Sequence, residues 1–351
     1  MIATAAQLAE LLPQIDSFPR VAIDTEADSL HCYKEKLCLL QISVPGHDYM
    51  IDPLADLSFE PLTALLQKRE IVLHGSDFDL RLLRRAFDFK AHRIFDTVLA
   101  ARLLGIKEFN LAALVKQHFG VDLAKGSQKS NWAQRPLPAR MVEYAINDTH
   151  YLLPLGERLE AQLKKVERFD WFEQSCERAI EQAAVDRTRD ADETWRISGS
   201  GALRGRAAAV LRELWHWREK EAEAVDRPPF HILQNRELLN AAESFAAGQV
   251  ADYRHFSARR RQAFREAAER GTQMPETDWP VARRRFGTRP SSEIVRRVEE
   301  LKHRRDRKAT ELGLEPAFVA PRTALESIAT DERRAEGLLV RWQRQLLDFE
   351  N

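Results

Sequence analysis

The sequence predicts an α/β domain, a mixed sheet flanked by helices, followed by two all-α helical modules. Three observations carry that expectation. The run Val21-Ala22-Ile23-Asp24-Thr25-Glu26 reads as a buried strand that delivers two acids to its end. Ile71 to His74 followed by Asp77 to Phe87 alternates strand with helix. Beyond about Asp190 strand signals vanish, and Pro228-Pro229, Pro275, Pro280 and Pro290 stand as breakers between helical stretches.

Taken in order, Met1 to Glu10 lacks a basic stretch and carries a glutamate, so it reads as an amphipathic segment of the fold rather than a secretory signal. Leu37 to Val44 is apolar enough to be a central strand, closed by Pro45-Gly46, and Asp48 to Asp52 is a short strand stopped by Pro53. Strands this close together pair antiparallel, because parallel neighbours need a long crossover. Glu60 to Lys68 reads as a helix, and Arg93 to Asp96 as a strand whose Asp96 caps the helix Thr97 to Leu104. Asn110 caps Leu111 to Phe119, which Gly120 stops. The polar loop Lys125 to Pro138 holds lysines, Arg135 and Trp132, the mixture that phosphate contact and base stacking require; a surface linker with a packing tryptophan is the plainer alternative. A long helix starts near Ala139. Later helices are Leu203 to Ala224, Asn235 to Ala247, Ala258 to Glu269, Glu293 to Leu312 and Glu332 to Phe349. The expected division is 1–190, 191–280 and 281–351.

Composition narrows the class. Hydrophobic residues are 44% and charged residues 31% of the 351, which is globular, and no apolar run approaches the roughly 18 residues that cross a bilayer. A cytoplasmic location is expected. Cys32, Cys38 and Cys176 form no close pair and are expected to be reduced core residues. Lys+Arg 54 balances Asp+Glu 54, so bulk charge announces no polyanionic partner. Arg259-Arg260-Arg261 and Arg283-Arg284-Arg285 are the densest basic runs, readable as solvated faces or as phosphate contacts.

Chemistry enters through the acids. Asp24 and Glu26 share a face of their strand and could hold one cation, although Asp-x-Glu is also common on solvated strands. Hydrolysis of a phosphodiester needs an activated water and stabilised charge, which two divalent cations held by four carboxylates can supply. Mg²⁺ and Mn²⁺ prefer oxygen ligands, so acids should carry such a site. Two more are available: Asp77 or Asp79 after the strand ending in His74, which spacing does not separate, and Asp148, one helical turn from Tyr144. Ser76 with Asp79 could instead be a helix cap.

Together, Asp24-Thr25-Glu26, His74-x4-Asp79-Leu80 and Tyr144-x3-Asp148 resemble the three motifs of the DEDD exonucleases of the tyrosine subclass. Leu37 to Ser43, Phe95-Asp96-Thr97, Gln128 to Trp132 and Arg135-Pro136-Leu137 narrow the resemblance to the bacterial ribonuclease D family, with Asn131 standing where that family carries an acid. Leu214 to Glu219, Arg227 to Leu233 and Leu238-Leu239 are similar to the helical HRDC module, and Glu293 to Asn351 to a second, divergent copy. The resemblance implies a ribonuclease H-like fold and a metal-dependent 3′→5′ exoribonuclease acting on single-stranded 3′ ends, precursor tRNA among them, with two Mg²⁺ or Mn²⁺ ions. It favours Asp79 over Asp77. Asp24, Glu26 and Asp148 would hold the cation that acidifies the water, Asp24 and Asp79 the second, and Tyr144 would orient the water. Thr25, His74, Lys129 and Trp132 are expected to contact the terminal nucleotides. The competing expectations are a DNA exonuclease and a non-catalytic RNA-binding scaffold.

Overall fold

A computed structural model describes residues 1–124, 126–185, 190–281 and 291–349. Lys125 and the run Arg283 to Arg285 lie outside the described residues. The chain divides into two compact units: Met1–Asp28, Lys36–Asp186 and Thr288–Asn351 form one, Ser29–Glu35 with Arg187–Gly287 the other.

The first unit is built on a five-stranded sheet in the order β3-β2-β1-β4-β5. Its strands are β1 (Arg20–Ala27), β2 (Leu37–Val44), β3 (His47–Ile51), β4 (Glu70–Leu73) and β5 (Arg93–Asp96). As expected from the short connections, β1, β2 and β3 pair antiparallel, whereas β1-β4 and β4-β5 are parallel. Every residue of β2 is buried, which its unbroken apolar run requires. Around the sheet lie α1 (Ala5–Asp16), α2 (Glu60–Leu66), α3 (Asp77–Phe87), α4 (Thr97–Leu103), α5 (Leu111–Phe119), α6 (Ala139–His150), α7 (Leu152–Lys165) and α8 (Phe169–Ala184). Parallel pairing brings the carboxyl ends of β1, β4 and β5 to one edge, where ligands of such sheets bind. Cys38 and Cys176 are buried and free here, as is Cys32 of the second unit.

In the second unit α9 (Gly205–Ala224), α10 (Pro229–Ile232), α11 (Asn235–Ala246) and α12 (Ala258–Gln273) pack around Trp217, Leu214 and Phe264. The arginine run heading α12 is engaged internally. Arg259 and Arg260 both pair with the buried Glu221, and Arg261 pairs with Asp252.

The last segment was expected as a module of its own. Its helices α13 (Ser292–Leu312), α14 (Pro316–Val319), α15 (Arg322–Thr330), α16 (Ala335–Leu338) and α17 (Arg341–Leu346) instead share the core of the first unit. The buried Trp342 stacks on Trp171 of α8 with centroids 5.0 Å apart and donates from its indole to Ser175. Arg168 donates to the carbonyls of both Leu103 and Leu312. The single helix expected over Glu332 to Phe349 is broken at Leu339-Val340, and side chains replace the lost ladder: Arg178 takes the carbonyl of Gly337, Arg344 that of Leu339, and Gln343 accepts from the Val340 amide.

The second unit and the last segment repeat one construction. Arg218 and Arg305, both buried, each donate to a carbonyl just past a four-residue helix, that of Leu233 in one and Ala320 in the other. Those helices begin at Pro229 and Pro316, and their C-caps both have φ −159°. Leu214 with Leu301, Ala222 with Ala309 and Leu238 with Leu325 continue the match, each pair separated by the same number of residues. Among the described residues no helix is long and apolar enough to cross a membrane.

Trp342 is fully buried, so Trp342→Ala should destabilise the first unit by about 3–5 kcal/mol. Chemical denaturation followed by near-ultraviolet circular dichroism measures it.

Candidate active site

Three elements bring the acids together. Asp24 and Glu26 come from the carboxyl half of β1, and Asp148 from α6, which lies across β1, β2 and β3. One oxygen from each of these three carboxylates lies within 4.8 Å of the others. Asp79, in the first turn of α3, approaches from the β4 side and is buried. Pairing of β1 with β4 ends at Ala22, which leaves the Thr25 amide available, and both that amide (3.1 Å) and the Thr25 hydroxyl donate to Asp79. Asp77 is exposed and paired with Arg81, and Ser76 makes no side-chain cap, so the geometry selects Asp79. Asp96 instead accepts from the amides of Gly75, Ser76, Val98 and Leu99, tying the entry to α3 to the start of α4.

The acids line a cleft of about 600 Å³ together with Thr25, His74, Phe78 and Tyr144. Burial and mutual repulsion govern their protonation. Glu26 is pushed up to about 9, first by desolvation, then by Asp148 and Asp79. Asp79 and Asp148 rise to about 7, chiefly by desolvation, and Asp24 is raised well above the usual range by desolvation and then by the other three acids. Tyr144 donates to Asp148, and burial beside these acids drives its phenol far above 10. His74 is held neutral by burial. Its Nδ1 lies 2.8 Å from the Thr97 hydroxyl, which already donates to the Leu73 carbonyl, so Nδ1 carries the proton and Nε2 is an acceptor.

Two expectations about substrate contacts change. Trp132 is fully buried among Cys38, Leu39, Met141 and Ala145, with its ring 6.1 Å from that of Tyr144, so no face is open to a base. It backs the phenol instead. Arg135 locks the loop that delivers it, donating to both oxygens of Asp52 (2.7 and 2.6 Å) and to the carbonyls of Cys38 and Trp132. Asn131, at the family's acid position, accepts from the Ala133 amide and closes a turn. Lys129 is exposed and is not among the residues lining the cleft, whereas its neighbour Gln128 is.

Gln41 was not foreseen as a site residue. It sits opposite Asp24 in the β1-β2 register, is 1% exposed, and its amide donates to Asp24 at 3.3 Å. A lone polar residue inside the apolar run of β2 was the available signal, but its partner depends on a register that the sequence does not display.

Divalent cations fit this donor set: oxygen ligands only, crowded enough to repel, with no Lys or Arg lining the cleft among the described residues. Removing the Gln41 support should weaken Mn²⁺ binding about 10–100-fold in Gln41→Leu, measured by calorimetric titration. The raised acids also set a sign for stability. From about pH 4 to pH 9 the folded, cation-free chain holds protons that the unfolded chain has released, so stability should fall as pH rises through that window. Thermal unfolding in chelator should show this decline, smaller in Glu26→Gln and reduced by saturating Mn²⁺.

Comparisons with known proteins agree with this arrangement. Residues 1–164 match the family described as 3′-5′ exonuclease, and residues 207–247 match the HRDC domain. Ribonuclease D of Sphingobium indicum is 31% identical over 69% of this chain and 63% of its own length. Ribonuclease D of Pseudomonas paraeruginosa is 28% identical over 92% of this chain and 87% of its own. The crystal structure of Escherichia coli RNase D superposes with a TM-score of 0.73 at 22% identity over 99% of this chain and 98% of that one, a likeness of fold. With the acids of its motifs gathered at one sheet edge and a helical domain behind them in sequence, the chain belongs to the ribonuclease D family of 3′-5′ exonucleases.

Proposed function

We propose that the protein is a metal-dependent exoribonuclease that releases 5′-mononucleotides from RNA 3′ ends with two divalent cations, in 3′ processing of precursor tRNA and other small structured RNAs. The observation that carries this reading is the convergence of Asp24, Glu26 and Asp148 within 4.8 Å, with Asp79 across the cleft and Tyr144 bonded to Asp148. The name ribonuclease D borne by the relatives supports RNA over DNA. The choice of tRNA rests on the resemblance alone.

In this reading Asp24, Glu26 and Asp148 hold one cation, and Asp24 with Asp79 the other. Bound cations would supply Lewis-acid stabilisation of the phosphate and lower the pKa of the attacking water. Tyr144 cannot act as a base, since its phenol keeps its proton at neutral pH, so its hydroxyl positions the water. His74 presents a neutral acceptor nitrogen for a hydroxyl of the terminal ribose. Thr25 holds Asp79 and leaves the nucleotide to others. The helical regions contribute salt-sensitive, sequence-independent affinity. The arginines of α12 do so only by exchanging Glu221 and Asp252 for phosphate. The last segment is a diverged copy of the HRDC domain, on the matched arginines, prolines and core positions.

Digestion of end-labelled RNA should yield a ladder shortening from the 3′ end and 5′-mononucleotides, only with Mg²⁺ or Mn²⁺. Asp24→Ala should lower turnover by several kcal/mol of lost stabilisation, about 10³-fold or more, and Tyr144→Phe by about 10²-fold. Equal rates on matched DNA would move the substrate to DNA. RNA binding without hydrolysis would leave a scaffold.

A further inference from the structure

The cleft has one side chain that neither the fold nor the chemistry above employs. Phe78 lines it, next to Asp79 in the first turn of α3, yet is 47% exposed. Among the described residues it belongs to no hydrophobic cluster and makes no ring contact. A large aromatic left in water inside a polar cleft forgoes the 1.5–3 kcal/mol or so that burial would bring. Its neighbours in the lining are apolar too: Leu111, Ala112, Leu123 and Ala124 face a cleft whose other side is carboxylate. A mononucleotide has that same polarity, a phosphate at one end and a flat apolar face at the other.

We propose that Phe78 is the stacking platform for the 3′-terminal base, a role given to Trp132 on sequence grounds and closed to it by burial. The assignment rests on the exonuclease reading. A ring face accepts every base, so the contact confers affinity and registration of the scissile phosphate over the acids without sequence preference. Arginine and lysine are absent from the described lining, which leaves stacking as the means of gripping the terminal residue beyond its phosphate.

The test compares RNA ending in a normal nucleotide with the same RNA ending in an abasic ribose. Phe78→Ala should lower kcat/KM on the normal end about fivefold or more, mainly through KM, and leave the abasic end at the wild-type rate. Phe78→Trp should restore the normal end. In an Asp148→Asn background that stops turnover, a 3′-terminal 2-aminopurine should be quenched on binding, and the quenching should disappear when Phe78 is also Ala. Equal losses on both ends, or quenching that survives Phe78→Ala, overturn the platform while leaving the exonuclease in place. A wild-type protein that releases no mononucleotide from either RNA overturns both readings.

Discussion

Electrostatic repulsion among the clustered acids is the constraint on which the rest depends. Two unit charges 4 Å apart repel by about 1 kcal/mol in water and about 4 kcal/mol at the effective dielectric of a partly buried site. Asp24, Glu26 and Asp148 are closer than 5 Å to one another, with Asp79 near, and no cationic side chain lines the cleft among the described residues. Their raised affinities for protons express that repulsion. A fold that keeps such groups together must fix each from behind. Otherwise rotamer changes would relieve the strain and disperse the ligands.

The β2-β3 hairpin does most of that fixing. Gln41 holds Asp24. Ser43 donates to Asp48 and meets the Thr149 hydroxyl at 2.7 Å, while Asp48 lies 2.7 Å from the His150 Nδ1, so the end of α6 that carries Asp148 is pinned at two consecutive residues. Asp52, just beyond β3, takes Arg135 and with it the loop that presses Trp132 behind Tyr144. One rigid hairpin thus sets the positions of Asp24, Asp148 and the phenol. Asp79 is referenced to the same frame through Thr25 of the adjoining strand. Support of this kind is what metal sites need if their ligands are to keep a geometry in the absence of the ion.

How far this was legible in the sequence follows from the range of each interaction. Strands, caps and the meander were readable because their signals are local: Asp96 and Asn110 do cap their helices, and α3 spans Asp77–Phe87 as periodicity indicates. The four acids were found by motif, and Asp79 was separated from Asp77 only by resemblance, since spacing along a helix entrance does not say which side chain meets a strand. Trp132 misled because a tryptophan in a polar loop looks the same whether it stacks on a base or plugs a gap; the buried Asp52-Arg135 pair that decides the matter joins distant segments. Phe78 was passed over for the converse reason, since an apolar residue at a helix start reads as core. Glu332 to Phe349 kept a helical period, yet tertiary bonds from α8 outcompeted the continuous ladder.

The repeated arginine explains why two sequences that have drifted so far keep one construction. In each copy a long helix is followed by a proline-started turn of helix, too short to bond its own last carbonyls, and that end is buried. An unsatisfied buried carbonyl costs about 1–3 kcal/mol, and Arg218 or Arg305, reaching from the long helix, removes the penalty while crossing the angle between the two helices. Hydrophobic positions around it tolerate exchange of similar volumes, so Ile232 can become Val319 and Leu233 Ala320 without loss of the frame. What is outside that frame is then free to diverge. The first copy keeps the arginine-headed helix α12, whereas the second replaces that helix with the broken segment that inserts Trp342 against Trp171. The same scaffold is therefore available for phosphate contact in one place and for bracing the nuclease core in the other, and the difference lies in the fourth helix rather than in the turn that the arginine holds.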